Sequence, residues 1–377
     1  MLNKGTEKQS ASNRVPVELL WPPGLAKKNK SGFSDSELEA LCDWGLRGHD
    51  ATLPYRSAPW IYWTAELYSF GRCYREWLGL PRWAPLPLYG DHGCCTKGEL
   101  MWHELQSKSK IHLTWYKDRA EFNQYIPDKS VVRIPHPWIT YRRRHGIMKS
   151  AQANGTLVFY AHSNNGIEIL DYDWDSYFNE LKNLSEEFHP LVVCMHRHDV
   201  EKGYHHKLRK YGLPIVSAGE SSSPYFVDRF YDIISQFEYA TSNSGGSELF
   251  YCEEMGVKYF LKGVEPVRTN LSHSEVPIGP LVAQDAVAAS AAKRKRNLFS
   301  GFPPCSSKEK TQFVADILGS DLNESECKRS VLRHYRIELM RHLPEIFRVL
   351  MRRIRGRLSR TAIGRFIKAR IVADASS

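Results

Sequence analysis

From residue 86 onward, short apolar runs alternate with polar loops and amphipathic stretches. The runs at 86–89, 111–116, 131–134, 156–160, 191–195, 214–217, 239–242 and 257–261 have the length and the β-branched or aromatic content of buried strands. Between them, 97–107, 117–124, 174–187, 202–211, 224–236 and 246–255 carry helical spacing. Strands that alternate with helices predict parallel sheets with both faces covered, so the class is α/β. Upstream, Ser34-Asp-Ser-Glu-Leu-Glu-Ala-Leu reads as a capped helix start, and 60–78 holds aromatics at the spacing of a partly buried helix. Residues 1–33 mix Pro, Gly, Ser and Lys and predict a mobile arm with an apolar patch at Val17 to Trp21.

Two breaks organise the rest. Arg142 to Gly155 separates one strand series from the next, which divides the chain into a 34–148 and a 149–325 domain. Glu275 to Arg296 runs through Pro, Gly, Ala and Ser into Lys-Arg-Lys-Arg and predicts a long surface connection. From Asn323 the pattern is helical. Pro344 is expected to start a new helix, in which Phe347, Leu350, Met351, Ile354, Leu358, Ala362, Phe366 and Ile367 recur at three and four while Arg fills the other face.

Composition changes this picture only by exclusion. With 42% hydrophobic and 25% charged residues the chain is neither wholly disordered nor membrane-spanning, and its start has no apolar segment of the kind a cleaved export signal needs. Eight cysteines in 377 residues are too few for a disulfide framework, and no pair of Cys-x2-Cys elements marks a zinc site, so a reducing cytoplasm and no metal are expected.

Charge is more informative by position. Residues 328–370 hold fourteen Lys or Arg against two Glu, a net +12, which leaves −2 for the remainder of a chain whose total is +10. The 326–377 tail therefore suits an anionic inner-membrane surface, or a solvated helix packed on the body. Nucleic acid ranks third and is not expected as a partner, because the body is slightly acidic and carries no nucleic-acid motif.

Chemistry concentrates at the ends of the predicted strands. Tyr239 to Leu261 reads as strand, small-residue loop, helix, Gly turn and strand. Gly245 and Gly246 allow close backbone approach, the helix N-terminus offers free N–H groups to a phosphate, and Ser242, Ser244 and Ser247 add hydroxyls. Glu248 or Glu253 is placed to accept bonds from ribose hydroxyls, unless the loop is only a tight structural turn. In a doubly wound sheet, carboxyl strand ends open onto the ligand crevice. On that rule His162, Ser163 and Asn164 follow one strand, and His196, Arg197 and His198 another, with Arg197 suited to a phosphate. Pro85 to Gly93 ends similarly with Asp91 and His92, and a His or Asp in a crevice loop can remove a proton from an attacking hydroxyl.

The segment from Ser244 to Leu261 resembles the donor-nucleotide end of GT-B glycosyltransferases and of nonhydrolysing UDP-GlcNAc 2-epimerases, although Lys258 stands where Pro is common. Asp91-His92-Gly93 resembles the acidic-acidic-Gly motif that supplies the base of bacterial sialyl- and polysialyltransferases, with His in place of the second acid. Ile134-Pro-His-Pro-Trp138 is similar to their phosphate-contacting His-Pro pair, which marks His136. These resemblances imply two Rossmann-like domains and metal-independent transfer of a sugar from a nucleotide-sugar co-substrate, without a further cofactor. The acceptor would be a surface polysaccharide, or a lipid-linked or lipopolysaccharide glycan, with His92, or Asp91 partnered by His92, as base. An epimerase of the same architecture and a noncatalytic nucleotide- or glycan-binding protein remain as alternatives.

Overall fold

The computed structural model describes residues 20–21, 25, 30–47, 67–94, 96, 107, 109–121, 129–164, 166–271, 279–280 and 286–358. The first helix described in full is α1 (Asp35–Arg47), in which Ser34 and Glu37 close a capping box: the Glu37 N–H donates to Ser34 Oγ at 3.3 Å and the Ser34 N–H to Glu37 Oε2 at 2.8 Å. A short 3-10 turn at Leu67–Ser69 leads into α2 (Phe70–Leu78). Then follow β1 (Tyr89–Gly90), β2 (Ile111–Thr114), α3 (Lys117–Glu121), β3 (Ser130–Arg133) and α4 (Pro137–Arg144). β1, β2 and β3 form a parallel sheet in that order.

A second series begins at β4 (Thr156–Val158) and β5 (Ile167–Ile169), followed by α5 (Trp174–Lys182), β6 (Leu191–Cys194), α6 (Arg197–Glu201), α7 (Tyr204–Leu208) and β7 (Ile215–Val216). It continues through α8 (Phe226–Ile234), β8 (Tyr239–Ser242), α9 (Ser247–Met255) and β9 (Lys258–Leu261). The five-stranded sheet runs β7-β6-β4-β8-β9, parallel throughout. Leu157, Val158, Val192, Val193 and Ala240 are buried on it, as strands covered on both faces require. Gly155 enters this sheet at φ +69°, and a Cβ there would lie 2.4 Å from the Pro190 carbonyl.

β10 (Arg268–Asn270) pairs antiparallel with β5 and with β11 (Gly279–Pro280). The chain then runs through α10 (Ala286–Phe299), α11 (Lys308–Leu318) and α12 (Glu324–Leu358). The architecture is mixed α/β with parallel sheets, as the alternation of runs predicts; the small antiparallel sheet was not visible in the pattern.

Four expectations need correction. The described part of 1–33 is no free arm: Leu20, Trp21 and Phe33 are buried, the Phe33 N–H donates to the Ile215 carbonyl at 2.7 Å, and Arg229 Nη1 donates to the Leu20 carbonyl at 3.0 Å. Helix α1 packs on α6 beside the second sheet, not with the 67–148 segment that the proposed boundary joined it to. The Lys-Arg-Lys-Arg run lies on helix α10 instead of in an extended connection. Pro344 lies inside the continuous helix α12 rather than starting a new one. Ala362, Phe366 and Ile367, and most of the helix expected at 97–107, fall outside the described residues.

Candidate functional site

A cavity of about 320 Å3 lies where the two parallel sheets meet. Its lining follows the carboxyl ends of five strands: His92 and Gly93 after β1, Phe159 to His162 after β4, Met195 to Arg197 after β6, Ser217 to Gly219 after β7, and Ser244, Gly246 and Ser247 after β8. Open parallel sheets present ligands at that edge, because backbone groups at strand ends and following helix N-termini converge there.

Below this cavity, Asp91 is fully buried and its carboxylate is fully engaged. Oδ1 accepts from His112 Nε2 at 2.8 Å and Arg119 Nε at 2.7 Å, and Oδ2 from Thr114 Oγ1 at 2.5 Å. Burial alone would raise its pKa, but Arg119, His112 and Thr114 outweigh that and hold it below the usual carboxylate range. Asp91 does not line the cavity and is committed to anchoring the loop that follows β1, which corrects its assignment as a base. His92, one residue on, does line the cavity, with its ring 5.2 Å from that of Tyr68. Gly93, at φ +63°, sits so close to α9 that a Cβ would meet Ser247 Oγ at 2.7 Å. Ser247 Oγ itself accepts from the Cys94 N–H at 2.9 Å, which fastens the β1 loop to the start of α9.

His136 is buried outside the cavity lining. Its Nδ1 accepts from the Trp138 N–H at 3.1 Å, so the neutral ring carries its proton on Nε2 and donates to Tyr251 Oη at 3.0 Å. Burial lowers its pKa far below the ordinary value, against the opposing pull of Asp91. With Pro137 in the first turn of α4 it caps that helix and joins it to α9, so it is not placed to touch a donor phosphate, as the His-Pro resemblance implied.

After β4, the buried Ser163 gives both its N–H and Oγ to Asp199 Oδ1, at 3.0 and 2.6 Å. It shapes the loop and does not face the cavity, whereas the exposed His162 does. His162 Nδ1 donates to the Ser163 carbonyl at 2.8 Å, which leaves a lone pair on Nε2 when the ring is neutral. The ring stacks on His196 with centroids 4.2 Å apart and an interplanar angle of 20°. His196 Nδ1 accepts from the His198 N–H at 3.3 Å, so its Nε2 bears the proton, and that buried Nε2 has no partner among the described residues. Burial, with His162, His198 and Arg197 around it, keeps His196 well below its ordinary pKa and therefore neutral. Arg197 lines the cavity while Nη1 holds Glu201 at 2.8 Å and the buried Glu220 at 2.5 Å.

The glycine loop is occupied in a way that residue types did not foretell. Ser242 Oγ is buried and accepts from the N–H groups of Ser244 and Gly245, at 3.2 and 2.6 Å, so it builds the turn and is not open to a ligand. Gly245, at φ +62°, packs inward against Leu249 and Leu261, while Ser244 and Gly246 line the cavity. The Glu248 carboxylate folds back over the N-terminus of α9: Oε1 accepts from the Gly246 N–H at 2.7 Å and from Tyr259 Oη at 3.1 Å. An anion already sits where a phosphate was expected. Glu253 lies away from the cavity, with Oε1 accepting from the Tyr259 N–H at 2.6 Å, which corrects its assignment to ribose.

Sequence reasoning missed several residues. Lys295, hidden within the basic run, reaches from α10 to donate to the carbonyls of Ser244 at 2.9 Å and Gly245 at 2.6 Å. Arg268 lines the cavity mouth from β10. Tyr68, Phe70, Trp138, Phe226, Phe230 and Tyr251 form aromatic walls. Tyr68 stands at φ 51° and ψ 34°, a left-handed backbone costly for a bulky residue, with its carbonyl bound by Trp138 Nε1 at 2.7 Å. No periodicity distinguishes such walls from core.

No known protein family and no curated protein matches the chain. Among solved structures, a lipopolysaccharide outer core galactosyltransferase, WaaB, in its apo form is similar over 78% of each chain, at 11% identity and a TM-score of 0.26. A likeness that slight carries no functional argument.

Proposed function

We propose that this chain is a glycosyltransferase that takes a sugar from a nucleotide donor and passes it to a hydroxyl of a glycan acceptor. One observation carries the reading: a single cavity at the carboxyl ends of strands from both sheets gathers three histidines and two arginines between aromatic walls. Aromatic faces suit stacking of a nucleobase or the apolar face of a sugar. Arg197, Arg268 and the proton on His196 Nε2 suit the negative charge that develops on a departing phosphate.

In this reading His92 removes the proton from the attacking acceptor hydroxyl, and the lone pair on His162 Nε2 is the second candidate for that task. Glu248 leaves the N-terminus of α9 when donor phosphate arrives, since two anions on one N–H cluster repel. The acceptor belongs to a surface polysaccharide or lipopolysaccharide glycan.

The test is a thermal-shift panel of UDP, CMP, GDP and their sugars on the full chain, followed by mass spectrometry of glycan acceptors incubated with whichever nucleotide sugar binds. The reading expects a shift with one nucleotide and an acceptor mass increased by one sugar. No shift with any nucleotide would sink it. Interconversion of the sugar nucleotide without acceptor would replace it with the epimerase reading.

A further inference from the structure

Helix α12 carries a feature that the cavity does not use. At about 100° of rotation per residue, its described side chains divide into three sectors. Val331, Tyr335, Glu338 and His342 are buried and hold its first half against β2, β3 and α2. About 130° round the helix from these, Met340, Leu343, Phe347, Leu350 and Ile354 form a straight apolar stripe that faces outward. Their exposures are 68%, 41%, 62%, 37% and 41%. The third sector, a further 130° or so round, holds the exposed Arg341, Arg348, Arg352 and Arg355 together with the exposed Ile337; Arg341 and Arg348 pair along the helix with Glu338 and Glu345, while Arg352 and Arg355 stand beyond those carboxylates. The exposed Arg329, Arg333 and Arg336 continue the line of the stripe toward the helix start.

A soluble surface rarely leaves five large apolar side chains in one row, because each exposed row of this kind costs hydration free energy and invites association. A second copy of this chain would bring its own arginines to the same edge, and like charges at such an interface disfavour self-association. An anionic lipid surface satisfies both sectors at once: phosphate headgroups meet the arginines, and the stripe enters the boundary between headgroups and acyl chains.

We propose that the apolar stripe and arginine sector of α12 form a docking surface for an anionic lipid bilayer, on which the helix lies parallel to the membrane plane. No helix among the described residues is long and apolar enough to cross a membrane, which is consistent with a helix that lies on the surface. The surface itself does not depend on the enzymatic reading.

Co-sedimentation of the full chain with phosphatidylglycerol–phosphatidylcholine vesicles, against phosphatidylcholine alone, tests it. The expected result is binding to the anionic vesicles only, weakened at least tenfold by the pair Phe347→Ser and Leu350→Ser. Arg348→Glu with Arg352→Glu should weaken it similarly, as should high salt. None of the four positions lies in the buried sector, and the one ion pair lost, Arg348 with Glu345 on the helix surface, contributes only about 0–1 kcal/mol, so both double variants should stay close to the parent melting temperature and nucleotide thermal shifts should be unchanged. Equal affinity for neutral vesicles, or retention of binding in both variants, overturns the proposal. So does a dimer in light scattering that the Phe347 and Leu350 changes dissolve while the parent ignores vesicles, because the stripe would then be covered by a second copy.

Discussion

Replacing Asp91 by Asn separates a structural carboxylate from a chemical one. The wild-type side chain accepts three bonds with no exposure to solvent, and its main cationic partner, Arg119, is itself only 2% exposed. Asn keeps the volume, but it removes the charge and turns one acceptor into a donor that faces donors. A buried guanidinium that loses one counter-charge costs up to about 3–5 kcal/mol. That is a large share of the roughly 5–15 kcal/mol that separates most folded chains from unfolding. The melting temperature of Asp91→Asn should therefore fall by several degrees.

The pH dependence has a fixed sign. Because the folded carboxyl is held below the range of an unfolded Asp, near about 3.9, its contribution is complete above that pH and disappears as pH falls through the lower folded value. The gap between wild type and variant should be full at neutral pH and close below about pH 4. Scanning calorimetry across that range, with nucleotide binding measured alongside, is the assay. A variant that melts with the wild type, binds nucleotide normally and has lost all transfer would refute the reasoning, since the carboxylate would then act on substrate.

Other outcomes follow from the same geometry. His92→Ala should abolish sugar transfer in steady-state assays while the nucleotide thermal shift persists; full activity removes it as base. Gly155→Ala should lose about 1–2 kcal/mol for left-handed backbone alone, and more from the clash with Pro190, which denaturant titration would reveal. Lys295→Met frees the carbonyls of Ser244 and Gly245 and should raise the donor KM more than it lowers kcat; an unchanged KM would mean the loop holds its shape without it. His196 binds its proton less readily folded than unfolded, so acid favours unfolding. Stability should fall as pH drops below about 6.5, by up to about 1.4 kcal/mol per unit. A His196→Asn chain should show a flatter dependence in urea titrations at pH 7 and pH 5.

The alternation of apolar runs and helical spacing was legible because buried parallel strands leave long β-branched and aromatic runs, as Val192-Val193 does in β6. Residues placed at carboxyl strand ends were legible for the same topological reason, and His92, His162, His196, Arg197, Ser244, Gly246 and Ser247 do meet at one cavity. Which way each side chain turns was not. Asp91 faces inward because His112 and Thr114 on β2 and Arg119 on α3 wait there, partners more than twenty residues away that no local pattern ties to it. Ser163 and Asp199 hide each other similarly. Lys295 looked like a solvated charge in a basic run, since a single sequence does not show that two backbone carbonyls sit opposite. Likewise, the aromatic walls have the same spacing as core.

The first and last helices described are exchanged between the two sheets. The segment around Phe33 and α1 leans on β7 and α6 of the second sheet, while the last long helix returns to cover the first. Cutting the gene near residue 150 would thus give two pieces that each lack a cover held by the other: one with a stray opening helix, the other with a stranded closing one. Each fragment alone should be insoluble, and only co-expression should recover a folded pair. Insertion or deletion of sequence anywhere between the sheets must then respect two crossings of the chain in addition to the obvious one, which makes the molecule hard to evolve by swapping halves.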